Sequence, residues 1–185
     1  MKKMKNLKIT ASLAMLAAIS IVLGKYLAIP VGEVMRFSLE SMPIIFAGIA
    51  FGPLAGGLCG LVADLVGCLL RGYDINIAVS LGAMVIGVIS GAMPIVLRAV
   101  GIKKLPMTII TVAVAHIIGS MLIKTLGLAS HYEMPFYLVF LWRVLNYIIV
   151  GALDCTVVHI LLNNRGIRME IKKLGVLYRS LPFLA

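Results

Sequence analysis

Three arginines and two aspartates stand in sequence that is otherwise too apolar for them. Arg36, Arg71 and Arg143 come from separate parts of the chain, and each has polar neighbours able to line a pocket: Glu40 and Ser41 after Arg36, Tyr73 and Asn76 after Arg71, and Trp142, Asn146 and Tyr147 around Arg143. A guanidinium grips a carboxylate through two parallel hydrogen bonds, so this set suits binding of a small anion. Arg143, Tyr147, Gly151 and Asp154 fall at i, i+4, i+8 and i+11 on one helical face, with Asn146 one step aside. Polar residues in register on an apolar helix either line a wet space or form a buried ion pair. Asp64 is the other exception. Gly48, Gly52, Gly56 and Gly60 recur every fourth residue, and Asp64 takes the next step. Small residues at that spacing let helices approach closely in lipid. A carboxylate beside them either serves a functional site or is hydrogen-bonded by neighbouring helices.

The sequence offers no catalytic chemistry of a familiar kind. It contains no HExxH, no GxSxG, no paired-aspartate metal motif and no glycine loop ending in Lys-Ser or Lys-Thr. Cys59, Cys68 and Cys155 each sit alone in apolar sequence and read as packing residues, so no metal, cofactor or disulfide is expected. His116 and His159 lie in apolar stretches and read as satisfied interior residues; His131 falls in a loop. With no nucleotide-binding motif, any uphill movement of a solute must draw on an ion gradient or on another chain.

The elements that position these groups follow from hydropathy. The chain has 185 residues, 62% hydrophobic and 13% charged, with a mean hydropathy of +1.10; soluble domains carry about 25% charged residues. This predicts an all-α integral membrane protein with six transmembrane helices in one domain, approximately 9–29, 41–52, 53–70, 77–97, 106–126 and 136–163, followed by a basic amphipathic tail over 164–185. The uninterrupted part of the second segment is too short to cross alone, and Pro53 opens the third, so the two make a tight helical pair. The start MKKMKNLK resembles the n-region of a signal peptide, but no small-residue cleavage site follows, so the first segment is expected to be retained.

The net charge of +10 is distributed as a membrane protein would have it and does not call for nucleic acid. Twelve of the 17 Lys and Arg fall at the N-terminus (Lys2, Lys3, Lys5, Lys8), between the fourth and fifth spans (Arg98, Lys103, Lys104) and in the tail (Arg165, Arg168, Lys172, Lys173, Arg179). The positive-inside rule makes that face, and both termini, cytoplasmic. The other five, Lys25, Arg36, Arg71, Lys124 and Arg143, fall towards the outer side. Lys25 and Lys124 are expected to snorkel to the headgroups; the three arginines are expected to meet at an outer rim.

At PIIFAGIAFGPLAGGLCGLVADLVGCLL the sequence resembles the substrate-binding S components of energy-coupling factor (ECF) vitamin transporters, through the glycine-rich pair broken at FGP and followed by G-x-x-x-D. MRF-S-L-E-S-MPI before it and RGYDINIAVSLGAM after it are most similar to the folate-specific branch. The resemblance spans essentially the whole chain. It implies a multi-pass protein of a prokaryotic plasma membrane that binds a vitamin at its outer face. Such a protein works with a membrane-embedded coupling (T) protein and two cytoplasmic ATPases, and delivers the ligand by toppling. It also implies that an alanine face of the first span, here Ala11, Ala14, Ala17 and Ala18, meets the coupling protein; Ala14 and Ala18 have the spacing for close packing.

Two other readings stay open at this point. One is an S component for a different vitamin. The other is a stand-alone proton-coupled transporter of a small anionic or aromatic metabolite, with Asp64 or Asp154 carrying the proton. That second reading is weakened by the lack of an inverted repeat between the halves. A membrane enzyme has no catalytic set to support it.

Overall fold

The breakers and small residues decide where the chain bends. In the computed structural model, which describes residues 2–31 and 35–174, α2 (Ser41–Phe51) ends at Gly52, whose φ of +101° lies in the region that glycine enters without strain. Pro53 then starts α3 (Pro53–Arg71), where its missing N–H would have had no helical partner. Gly72, at φ +64°, closes α3. Asn76 opens α4 (Ile77–Ala99) by accepting from the N–H groups of Ala78 and Val79 at 3.0 and 3.3 Å.

The remaining elements are α1 (Lys2–Ile21), which runs on as a π-helical turn over Val22–Tyr26, and α5 (Lys104–Ala115), which continues as a π-helical stretch over His116–Lys124 into α6 (Thr125–His131). Then follow α7 (Phe136–Asn163) and α8 (Arg165–Leu174). Among the described residues five helices are long and apolar enough to cross a membrane: Asn6–Tyr26, Pro53–Arg71, Ile77–Ala99, Lys104–His131 and Phe136–Asn163. The apolar α2 has 11 residues, about 16 Å of helix against the ~30 Å of a hydrocarbon core.

Three features differ from expectation. Residues 29–37, expected as a span end and a plain loop, carry a two-stranded antiparallel pair, β1 (Ile29–Val31) and β2 (Met35–Phe37), with Pro30 opposite Arg36. Ile29, Val31 and Phe37 are β-branched or aromatic and suit that geometry. The fifth apolar helix runs to His131, not 126, because no proline intervenes before Pro135. The basic tail begins as α8, whose Ile171 is buried with Leu97, Met107 and Leu162; the rest of the tail, including Arg179, and Glu33 lie outside the described residues.

The glycine ladder holds the centre. Gly48, Gly56 and Gly60 bring α2 and α3 onto α4. A Cβ on Gly56 would lie 2.5 Å from both Gly48 Cα and the Gly87 carbonyl oxygen, and one on Gly87 would overlap the Gly56 carbonyl. Backbones in such contact exclude even a methyl group, which is the packing expected of small residues in a membrane. Around this crossing pack Ile44, Ile45, Ile49, Ile86, Met107, Val112, Val158 and Leu162.

Candidate functional site

At the end of the bundle that carries the β strands, the links between elements surround a cavity of about 420 Å³, within the usual ligand-site range of about 300–1,000 Å³. β1 and β2 supply Pro30 and Arg36; the α3–α4 link supplies Tyr73, Asp74 and Asn76; α6 and its end supply Leu128, His131 and Tyr132; α7 supplies Arg143, Asn146 and Tyr147. Deeper in the wall stand Lys25, Glu40, Asp64 and Lys124. A larger concavity, about 610 Å³ between α5 and α7, is lined mostly by apolar side chains and gathers no charged groups.

Of the ten residues singled out for binding, seven line the cavity: Arg36, Glu40, Tyr73, Asn76, Arg143, Asn146 and Tyr147. The other three stand outside it. Arg71 lies on the outer side, its guanidinium 5.0 Å from the Tyr26 ring and 5.9 Å from that of Tyr73, while Arg36 covers Tyr73 at 5.1 Å. Arg71 therefore props a wall residue. Trp142 is 54% exposed, because it sits one position from Arg143 and a helix turns adjacent residues to different faces. Ser41 is buried beneath the cavity and donates to Asp154 Oδ2 at 2.7 Å. Asn76 lines the cavity, but its amide is already engaged: Oδ1 caps α4 and Nδ2 donates to the Gly127 carbonyl at 2.8 Å.

The polar face of α7 divides in two. At its upper end Arg143, 7% exposed, donates from Nη2 to the Tyr147 hydroxyl at 3.0 Å, and its Nε has no partner. Asn146 donates to the Arg36 carbonyl at 3.1 Å, and its Oδ1 is buried without a partner. At the lower end Asp154 is fully buried, with Oδ2 also 3.0 Å from His116 Nε2. His116 Nδ1 meets Ser120 Oγ at 3.2 Å, and its ring packs 4.9 Å from that of Tyr147.

Lys25 and Lys124 correct the headgroup assignment. They are 5% and 3% exposed. Lys25 Nζ is 3.3 Å from Asp64 Oδ1, and Lys124 Nζ is 2.8 Å from Glu40 Oε1. Asp64, 6% exposed, also accepts from Ser80 Oγ at 2.7 Å. Snorkelling needs a route to the headgroups, and here a carboxylate within reach turns each ammonium inward. The signal was present: both lysines lie inside the expected spans 9–29 and 106–126 rather than in loops. Among the described residues neither Arg36 nor Arg143 has a carboxylate partner.

Glu40 lies in the turn before α2. Burial raises its pKa, yet the ammonium groups of Lys124 and Lys25 outweigh that and hold it down, to about 2 from 4.5. A carboxyl depressed on folding contributes stability in full above its unfolded value and loses it as pH falls through the folded value. Wild type should therefore unfold in detergent at a higher temperature than Glu40→Gln at neutral pH. The gap should close as pH falls from 4.5 towards 2; a gap constant over that window would contradict the pairing.

The comparisons with known proteins agree with this architecture. No curated protein matches the sequence at a significant level. Among solved structures, the chain is similar to FolT bound with folic acid, with a TM-score of 0.66 and 20% identity over 81% of this chain and 89% of that one. It is also similar to the S component for biotin from an ECF-type ABC transporter, with a TM-score of 0.70 and 19% identity over 91% and 98%. At such identity these two likenesses establish the fold. The family described as ECF transporter, substrate-specific component, matches residues 7–162. The chain belongs to that family: it is a multi-pass membrane protein and the substrate-binding subunit of an ECF transporter, not an enzyme.

Proposed function

We propose that the cavity binds an anionic vitamin, folate by preference, for ATP-driven uptake by a coupling protein and two ATPases. The observation that carries this is Arg143, a buried side chain lining the cavity that among the described residues has an unpartnered Nε and no carboxylate partner. A buried charge without a counterion is costly, and a ligand carboxylate would supply both the charge and the acceptor. Arg36, which among the described residues has no carboxylate within ion-pair distance, adds a second guanidinium, and Tyr73, Tyr132 and Tyr147 add ring surface for an aromatic head. A proton carrier is not needed in this reading, since Asp64 is held on both oxygens and Asp154 through Oδ2 by neighbouring side chains.

The cationic ends of the elements support cytoplasmic termini. Arg98 near the end of α4, Lys103, Lys104 at the start of α5 and the basic α8 stand at the end of the bundle away from the cavity, which supports a cavity open to the outer face of a prokaryotic plasma membrane. On α1, Ala11, Ala14 and Ala18 are exposed and open to a partner helix. Ala17 is 5% exposed and packs inward with Ala47, Cys59 and Ala63, so it leaves the proposed coupling face.

Reconstitution tests the reading. The isolated protein in liposomes should bind folic acid without accumulating it, and uptake should begin when coupling protein, both ATPases and ATP are supplied. Ala14→Trp and Ala18→Trp should retain binding in detergent and abolish that uptake, since bulk on the stripe blocks helix approach. Uptake by the lone chain on a proton gradient would overturn the proposal; loss of binding in the Trp variants would place the stripe inside the subunit.

A further inference from the structure

We propose that Glu40 and Lys124, backed by Asp64 and Lys25, form a charge-balanced floor that reads an amide-type edge of the ligand, a donor N–H beside an acceptor carbonyl, while Arg36 and Arg143 take its carboxylate. This rests on the anion-binding reading above and assigns the other half of the ligand.

The floor is a constructed feature. Each lysine lies in a π-helical stretch, where the wider turn takes side chains out of the 3.6-residue register, a distortion found mostly at functional sites. Glycines clear the way for the stems: a Cβ on Gly67 would lie 2.9 Å from Lys25 Cε, one on Gly82 would lie 2.5 Å from Lys124 Cγ, and one on Gly24 would lie 2.5 Å from Glu40 Oε2. The two ion pairs adjoin, since a space of about 10 Å³ is bordered by Lys25, Glu40 and Asp64 together. All four residues also face the main cavity.

Hydrogen-bond capacity on the floor points to an edge with both polarities. Asp64 accepts on both oxygens, from Lys25 and from Ser80. Glu40 uses Oε1 for Lys124 and leaves Oε2 as a spare acceptor. Lys124 spends one proton on Glu40, and an ammonium has three. An N–H offered to Glu40 Oε2 and a carbonyl offered to Lys124 Nζ would complete both groups. A second carboxylate would face Glu40 and be repelled, and a purely apolar head would leave both groups desolvated and unpaired. Buried ion pairs are often no more stabilising than apolar packing of equal volume, so two of them lining a cavity in an apolar bundle are better explained by recognition than by stability.

The test uses the whole protein in detergent and three probes: folic acid and biotin, each with a carboxylate and a cyclic amide-type edge, and 4-aminobenzoylglutamate, which keeps the carboxylates of folic acid and lacks its ring edge. The double variant Glu40→Lys with Lys124→Glu keeps an ion pair and reverses its polarity. Because the swap also sets an ammonium beside Lys25, its thermal midpoint should fall below that of wild type, while in the folded variant the preference for folic acid over 4-aminobenzoylglutamate should fall at least about tenfold, as expected when a buried donor and acceptor meet the wrong partners. Should the swap fail to fold, Glu40→Gln should show the same loss of preference. In Arg143→Ala both acids should weaken together and the preference should persist. Unchanged preference in the floor variants overturns the floor alone; failure of wild type to bind either folic acid or biotin overturns the anionic-vitamin reading and the floor with it.

Discussion

Replacing Arg143 by alanine should weaken binding of folic acid about ten- to a hundredfold, the equivalent of the ~1.5–3 kcal/mol that a hydrogen bond to a charged group contributes. The size of the effect follows from the setting. The guanidinium is 7% exposed, so water cannot replace it at the ligand, and its free Nε adjoins the Nη2 that already orients on Tyr147 at 3.0 Å. That bond fixes the fork before the ligand arrives, which reduces the ordering cost of binding. Arg143→Lys should recover only part, because an ammonium lacks the paired geometry. Trp142→Ala, one residue away but 54% exposed, should change affinity little. Calorimetry on the three variants separates these outcomes; equal and small effects in Arg143→Ala and Trp142→Ala would remove the anion from this part of the cavity.

The largest effect on the fold is expected at Gly56. Valine there would force its Cβ to within 2.5 Å of Gly48 Cα and of the Gly87 carbonyl, both backbone atoms of neighbouring helices that cannot rotate away. Overpacking of a core typically costs about 1–3 kcal/mol and more where backbone must move. Gly56→Val should accordingly lose most of its monodisperse protein in detergent or unfold well below wild type. Gly151→Ala is the matched control, since its new Cβ meets only His116 Cδ2 at 3.7 Å, an ordinary contact. Similar stability of the two variants in a thermal unfolding series would mean that the α2–α3–α4 crossing is looser than described.

How much of the site could be read beforehand depended on whether the signal was local. The shared face of Arg143, Tyr147, Gly151 and Asp154 was legible because helical spacing alone sets it; Arg143 and Tyr147, with Asn146 one step aside, line the cavity, whereas Asp154 is buried. The spacing of the glycines likewise announced close helix contact. Trp142 could not be separated from Arg143 by proximity in sequence, since neighbours on a helix point apart. The ion pairs were hidden for a different reason: Lys25 meets Asp64 across 39 positions and Lys124 meets Glu40 across 84, and the π-helical turns that aim the lysines leave no periodic trace. Knowing a lysine lies within a span does not say whether it turns out to lipid or in to a carboxylate; that depends on the partner. Ala17 shows the same limit, because an alanine stripe reads alike whether it meets a partner or, as here, Ala47 and Ala63.

A crystal structure of the protein with folic acid bound would test the central claim most directly. The account predicts the ligand in the cavity between the β strands and α7, with a carboxylate oxygen about 3 Å from Arg143 Nε and the ring edge on Glu40 and Lys124. A ligand lodged between α5 and α7, or one whose carboxylates avoid both Arg36 and Arg143, would contradict it.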